Sequence, residues 1–291
     1  MDENARSLTD NRMGLYEKAL PSDFGWAERL NVAARAGYAF VEMSIDESED
    51  RLRRLYWSKH ERRQLRTVLA DAPVGIETMC LSAHRRFPMG SEDRNIATQA
   101  RDMLKRAMEL ALETGIRVIQ IAGYDVFYEP STPSTRERFL EALHWAAESA
   151  AEFSIMLGME NIDRPNADSI DKVNSWVKKV GSPWFQIYGD FGNSAASGYD
   201  IESDLQAGQG HLVGMHLKDT LPGQYRNVPF GAGTVSFDVA FKALDRIGYA
   251  GQVVVEMWNE TDPLAERVVA GARTWLLATM ARSCAGITSD T

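Results

Sequence analysis

Short apolar runs recur along the whole chain, each followed by a charged, amphipathic stretch of helical length, and no other feature restricts the fold as much. The runs lie in MGLYEKAL, YAFVEMSI, GIETMCLSA, RVIQIAGYD, SIMLGMEN, WFQIYGDFGN, LVGMHLKDT and QVVVEMWNE. The stretches between them predict helices over 26–36, 59–70, 95–113, 135–153, 169–180, 201–208, 237–247 and 263–281, with Gly115 ending the third. Apolar strands separated by helices imply a parallel sheet covered on both faces. Eight such units in 291 residues predict a closed α/β barrel of the (β/α)8 TIM type. No GxGxxG follows the first strand, which argues against an open dinucleotide-binding sheet. One catalytic domain is expected over 13–282, with loose tails at 1–12 and 283–291.

Composition narrows the function. Hydrophobic residues at 44% can build a sizeable core. A net charge of −9 disfavours general binding of nucleic acid, whose affinity comes mainly from phosphate contacts. Cys80 and Cys284 stand far apart and no CxxC occurs, so neither a thiolate zinc site nor a disulfide framework is expected. The first residues lack the apolar core of a signal peptide, and no run approaches the roughly eighteen apolar residues of a membrane span. A cytoplasmic protein without a membrane partner is expected.

In a (β/α)8 barrel the active site lies at the C-terminal ends of the strands. The fifth run ends at Glu160, the sixth at Asp190, the seventh carries His216, and the eighth ends at Glu256. A single carboxylate there is often a helix cap or a solvated strand end. Four such groups in four successive units converge on one mouth. Carboxylates gathered in an apolar mouth repel one another unless a cation joins them. Three carboxylates and an imidazole suit one divalent metal, Mn²⁺, Co²⁺, Mg²⁺ or Zn²⁺, and the lack of thiolates favours a catalytic site. His211 lies nearby but precedes its strand and is given no ligand role. Trp258 and Phe87 adjoin site motifs and could wall the pocket; Trp26, Trp57, Trp145, Trp176 and Trp275 are expected on helix faces.

The stretches GLYEKALP, FVEMSIDE, CLSAHRRFPMGSED, RVIQIAGYDV, GHLVGMHLKDT, NVPFGAGTV and VVVEMW span nearly the whole chain. In them the sequence resembles the L-ribulose-5-phosphate 3-epimerases (L-xylulose-5-phosphate 3-epimerases) of bacterial pentose and L-ascorbate utilisation, which are xylose-isomerase-like barrels. The resemblance implies metal ligands at Glu160, Asp190, His216 and Glu256. It also implies inversion of carbon 3 of a ketopentose 5-phosphate, with Glu160 and Glu256 as the acid/base pair and no nicotinamide or flavin. A homodimer acting on a small sugar phosphate is expected. His84, Arg85, Lys218 and Arg226 are candidate donors to sugar or phosphate, and Asn193 a candidate hydroxyl contact. Two positions depart from the family's pattern: Arg164 stands where an aromatic is expected and Gly189 where proline is expected. The alternative reaction is a sugar-phosphate ketose/aldose isomerisation of the hexulose-6-phosphate isomerase kind, for which the same metal would serve. An abasic-site endonuclease is disfavoured by the acidic charge, and a non-enzymatic sugar-phosphate binder by the metal quartet.

Overall fold

The computed structural model describes residues 8–285. The expected tails at 1–7 and 286–291 lie outside the described residues. Eight parallel strands close a barrel: β1 (Met13–Tyr16), β2 (Phe40–Ile45), β3 (Gly75–Leu81), β4 (Val118–Ala122), β5 (Met156–Glu160), β6 (Phe185–Asp190), β7 (Leu212–Leu217) and, after an antiparallel hairpin of β8 (Asp219–Leu221) and β9 (Gln224–Val228), β10 (Gln252–Val255). β10 pairs with both β7 and β1, which completes the ring.

The connecting helices are α1 (Trp26–Arg35), α2 (Glu49–Leu52), α3 (Lys59–Asp71), α4 (Arg94–Thr114), α5 (Pro133–Phe153), α6 (Ile170–Val180), α7 (Phe191–Ala196), α8 (Ile201–Ala207), α9 (Phe237–Arg246) and α10 (Ala265–Ala285). Local signals set their ends. Ser58 and Glu61 form a capping box on α3, and Thr132 with Pro133 opens α5. Gly115 ends α4 with φ 85°, a left-handed conformation that glycine adopts without steric cost. The strands are buried on both faces, as helices covering a parallel sheet require.

Two expectations about the ends need correction. Residues 8–12 are not a loose tail: Leu8 is buried, and the buried Asn11 donates from Nδ2 to the Tyr249 carbonyl at 3.0 Å. Residues 283 and 284 belong to α10, where buried Ser283 donates to Asp238 Oδ1 at 2.7 Å. In both places an amide or hydroxyl side chain finds a partner hundreds or tens of residues away, which local composition does not register.

Two further differences lie at the mouth. The strand expected to run through Phe191, Gly192 and Asn193 stops at Asp190, because the Asp190 carboxylate accepts from Asn193 N at 2.8 Å and caps α7. The loop expected after the seventh strand contains the β8–β9 hairpin. Its return is fixed by Asp219, whose carboxylate accepts from Gly231 N and Gly233 N, each at 2.9 Å. A Cβ on Gly233 would fall 2.1 Å from Asp219 Oδ1, so only glycine permits this close approach.

Candidate metal centre and substrate pocket

Strand register assembles the quartet. Asp190 lies directly opposite His216 across β6 and β7, and His216 lies opposite Val254, two residues before Glu256. Glu160 ends β5 opposite Tyr188. One ligand atom from each of Glu160, Asp190, His216 and Glu256 lies within 4.8 Å of all the others, and all four residues are buried. His216 Nδ1 is 2.7 Å from Glu160 Oε1 and 3.9 Å from Glu256 Oε2. The Lys218 ammonium is 2.8 Å from both Asp190 Oδ2 and Glu256 Oε2. Gln120 donates from Nε2 to Glu160 Oε2 at 2.6 Å.

These charges sit where water is scarce, and their protonation reflects it. Burial pushes the Glu160 carboxyl upward, more than His216 pulls it down. Burial also raises Asp190, against the opposing pull of Lys218. For Glu256 burial is outweighed by Lys218 and His216, which bring its carboxyl down to about 2. For His216 burial is outweighed by Glu42, Glu256 and Glu160, which hold the imidazolium well above its ordinary range.

The donor set fits a divalent cation. With Glu42 on the far side of His216, four buried carboxyl groups crowd around one ammonium, Lys218, and one imidazole, His216, a gathering of acidic oxygens that a divalent cation would balance. Among the described residues, Asp190 Oδ2 makes no well-directed hydrogen bond, although the Lys218 ammonium is adjacent, and Gln120 Oε1 finds no hydrogen-bond donor. Hard oxygen donors with one imidazole and no thiolate are the ligands of Mn²⁺, Co²⁺, Mg²⁺ and catalytic Zn²⁺.

A cavity opens above the quartet, bounded by Tyr16, Phe127, Asn193, Tyr225, Arg226 and Trp258. Arg85 and Lys218 also line it. Arg85 and Arg226 continue into an outer shelf at its entrance. Arg85 stacks on Phe127 at 4.7 Å and lies 3.7 Å from Glu47; Arg226 stacks on Trp258 at 5.4 Å. Neighbouring Arg86 faces away, paired with exposed Glu49. Asn193 lines the cavity, but its amide already donates to the Asn161 carbonyl at 2.7 Å.

His84 is a correction. Its side chain is buried away from the cavity, with Nε2 3.1 Å from the Ala100 carbonyl of α4, and burial pushes its pKa down to about 4. It follows a strand end, but the short 3₁₀ turn at Ala83–Arg85 rotates it under the helix and leaves Arg85 facing the mouth. Phe87 packs on the core and does not line the cavity, whereas Trp258 does. Trp26, Trp57, Trp145, Trp176 and Trp275 pack against the core. His211 binds Gln186 at 2.8 Å, apart from the quartet. Asp219 serves the hairpin return and is no ion-pair partner of Lys218.

Sequence reading missed Glu42, Gln120, Phe127 and Tyr225. Glu42 and Gln120 carried a usable signal, a charged or amide side chain inside an otherwise apolar strand, FVEMSI and VIQIA. Phe127 lies on a loop and Tyr225 in the β9 arm of the hairpin, which the sequence did not predict, and neither gave a signal.

A closed parallel barrel with carboxylates and an imidazole at the C-terminal strand ends defines a xylose isomerase-like TIM barrel, and the model of that family matches residues 30–279. Two relatives named L-ribulose-5-phosphate 3-epimerase UlaE, from Escherichia coli (strain SMS-3-5) and Escherichia fergusonii, are each 46% identical over 273 residues, covering 93% of this chain and 95% of theirs. The chain belongs to the L-ribulose-5-phosphate 3-epimerase family and is an enzyme. The solved structure of an L-ribulose 3-epimerase has the same fold, with a TM-score of 0.79 at 18% identity over 96% of this chain and 98% of its own. So does the zinc-containing IOLI protein, with a TM-score of 0.78 at 16% identity over 94% and 99% of the two chains.

Proposed function

We propose that the protein is a metal-dependent epimerase inverting carbon 3 of a ketopentose 5-phosphate, interconverting L-xylulose 5-phosphate and L-ribulose 5-phosphate. One observation carries this reading: Glu160 and Glu256 come from strands separated by β6 and β7, yet both line the same cavity above one imidazole. Inversion needs a base on one face of the carbon and an acid on the other. Two carboxylates set three strands apart around a mouth can flank a sugar in that way.

Glu160, Asp190, His216 and Glu256 would hold the cation, Mn²⁺, Co²⁺, Mg²⁺ or Zn²⁺, which supplies Lewis-acid stabilisation to negative charge on the substrate's oxygens. The remaining work belongs to side chains. One of Glu160 and Glu256 removes the carbon-3 proton, and the other returns a proton to the opposite face. Which acts first depends on the epimer bound. Lys218, beside Asp190 and Glu256, can donate to a sugar oxygen. Trp258, Phe127 and the hairpin residue Tyr225 limit water around the exposed carbanion.

The phosphate belongs at the entrance. Arg85 and Arg226 border both the inner cavity and the outer shelf, and guanidinium groups suit phosphate oxygens. Lys218 is held by two carboxylates at the floor and does not serve there. The IOLI protein carries zinc on the same fold, which supports a metal in this one. A single-domain enzyme over 13–282, acting as a cytoplasmic homodimer on a sugar of the pentose or L-ascorbate routes, completes the proposal.

The test is an NMR assay in D₂O with L-xylulose 5-phosphate, before and after chelation. Metal-dependent formation of L-ribulose 5-phosphate with deuterium at carbon 3 supports the epimerase. Deuterium at carbon 1 with an aldose product moves the chain to the isomerases.

A further inference from the structure

Glu42 has no part in the quartet, yet three side chains converge on its carboxylate beside it. It sits in β2, opposite Tyr16 on one side and Thr78 on the other, and is 0% exposed. Its Oε1 is 2.7 Å from His216 Nε2. Its Oε2 accepts from Thr78 Oγ1 at 2.7 Å and from Tyr188 OH at 2.8 Å. The same Tyr188 ring packs edge-on against the imidazole, with centroids 4.8 Å apart. A buried carboxylate is costly, and three donors converging on Glu42 offset that cost.

The consequence falls on the imidazole. His216 has one nitrogen facing Glu42 and one facing Glu160. A carboxylate accepts and does not donate, so Glu42 holds a proton on Nε2. Glu160 faces Nδ1 in the same way, but it belongs to the quartet and would turn its charge to a bound cation, whereas Glu42 stays outside; with a cation in place the lone pair of a neutral ring is left on Nδ1, toward Glu160, Asp190 and Glu256. We infer that Glu42 is a positioning residue: held by Thr78 and Tyr188, it fixes the tautomer and ring orientation of His216 so that Nδ1 is offered to a divalent cation. This rests on the metal reading of the quartet. A hydrogen bond from a ligating imidazole to a carboxylate raises the basicity of the ligating nitrogen, and loss of such a partner weakens metal binding roughly 10–100-fold.

The experiment is calorimetric titration of metal-free protein with Mn²⁺ and with Zn²⁺ at one fixed pH. Glu42→Gln should weaken binding about 10–100-fold, because an amide can donate to Nε2 and move the ring proton to Nδ1. Glu42→Asp, which keeps the acceptor, should fall between Gln and wild type. Tyr188→Phe and Thr78→Val leave Glu42 in place and remove one donor each; a smaller loss of affinity is expected for both, and they answer the question if Glu42→Gln does not fold. A second readout is histidine ¹⁵N NMR of the Zn²⁺-saturated protein, in which His216 should carry its proton on Nε2. Wild-type affinity in folded Glu42→Gln, or in both donor variants when Glu42→Gln is unfolded, overturns the inference while leaving the metal centre standing. A wild-type protein that binds neither ion overturns the metal reading, and this inference with it.

Discussion

Replacing His84 with glutamine tests whether that side chain is buried structure or a substrate contact. The ring is 2% exposed, and Nε2 lies 3.1 Å from the Ala100 carbonyl. Burial holds its pKa near 4, below the unfolded value of 6.5. Between those values the unfolded chain binds more protons than the folded one, so stability must fall as pH falls through that window. Neutral His84 contributes fully above pH ~6.5, and below pH ~4 the loss is complete, ~3 kcal/mol in all. Between pH 7 and pH 5 the linkage relation gives a loss of ~2 kcal/mol. A glutamine amide can still donate to Ala100 but does not titrate. Urea unfolding of both proteins at pH 7 and pH 5 measures the effect against all other titrating groups. His84→Gln should lose ~2 kcal/mol less than wild type over that interval, with kcat/KM at pH 7.5 close to wild type. Equal pH losses in the two proteins would falsify the burial argument, and a large fall in kcat/KM would return His84 to the substrate site.

Arg226→Ala should raise KM for L-xylulose 5-phosphate roughly 10–100-fold, the value of a charge-assisted hydrogen bond, and should change turnover of unphosphorylated L-xylulose little; equal effects on both sugars would refute the phosphate assignment. Arg85→Ala should behave in the same way. Gly14→Ala should destabilise the barrel by ~1–3 kcal/mol as a lowered urea midpoint, since its Cβ would sit 2.3 Å from Phe40 Cε2; an unchanged midpoint would show that the ring can move. Chelation should abolish activity and lower Tm, with Mn²⁺ restoring both, because saturation at about a hundred times Kd stabilises by ~2.7 kcal/mol; an unaltered Tm and rate would count against the metal centre.

The barrel was legible because each strand is a short apolar run and each helix carries its own end signals, such as Ser58 with Glu61 and the left-handed Gly115. The quartet was legible for the same reason: a polar residue closing an apolar strand lands at the mouth once the barrel is assumed. Lys218 stands two residues past His216, so strand alternation sets it on the same side, where its ammonium reaches Asp190 and Glu256. What escaped depends on contacts distant in sequence. Glu42 meets His216 across 174 residues, and the hairpin return meets Asp219 through backbone amides that have no sequence signature. His84 escaped through a single 3₁₀ turn, which exchanged the inward position between neighbours.

The two departures from the family's pattern have physical accounts of different kinds. A Cβ at Gly189 would fall 2.6 Å from Met215 Cε and 3.0 Å from Leu212 Cδ2, so proline could stand there only if β7 carried smaller side chains. Glycine at 189 therefore makes room for Met215 within the barrel wall, one residue before Asp190 and His216, and leaves the register of those two intact. Arg164 acts at the mouth. Its guanidinium lies 4.1 Å from the centre of the Phe127 ring, on which Arg85 also stacks. An aromatic in that place would stack on Phe127 without charge; arginine stacks and adds a cation beside Arg85. The first departure thus acts within the barrel wall and does not line the cavity, while the second sets a guanidinium, 3.7 Å from the Asp163 carboxylate, on the ring that Arg85 also stacks on.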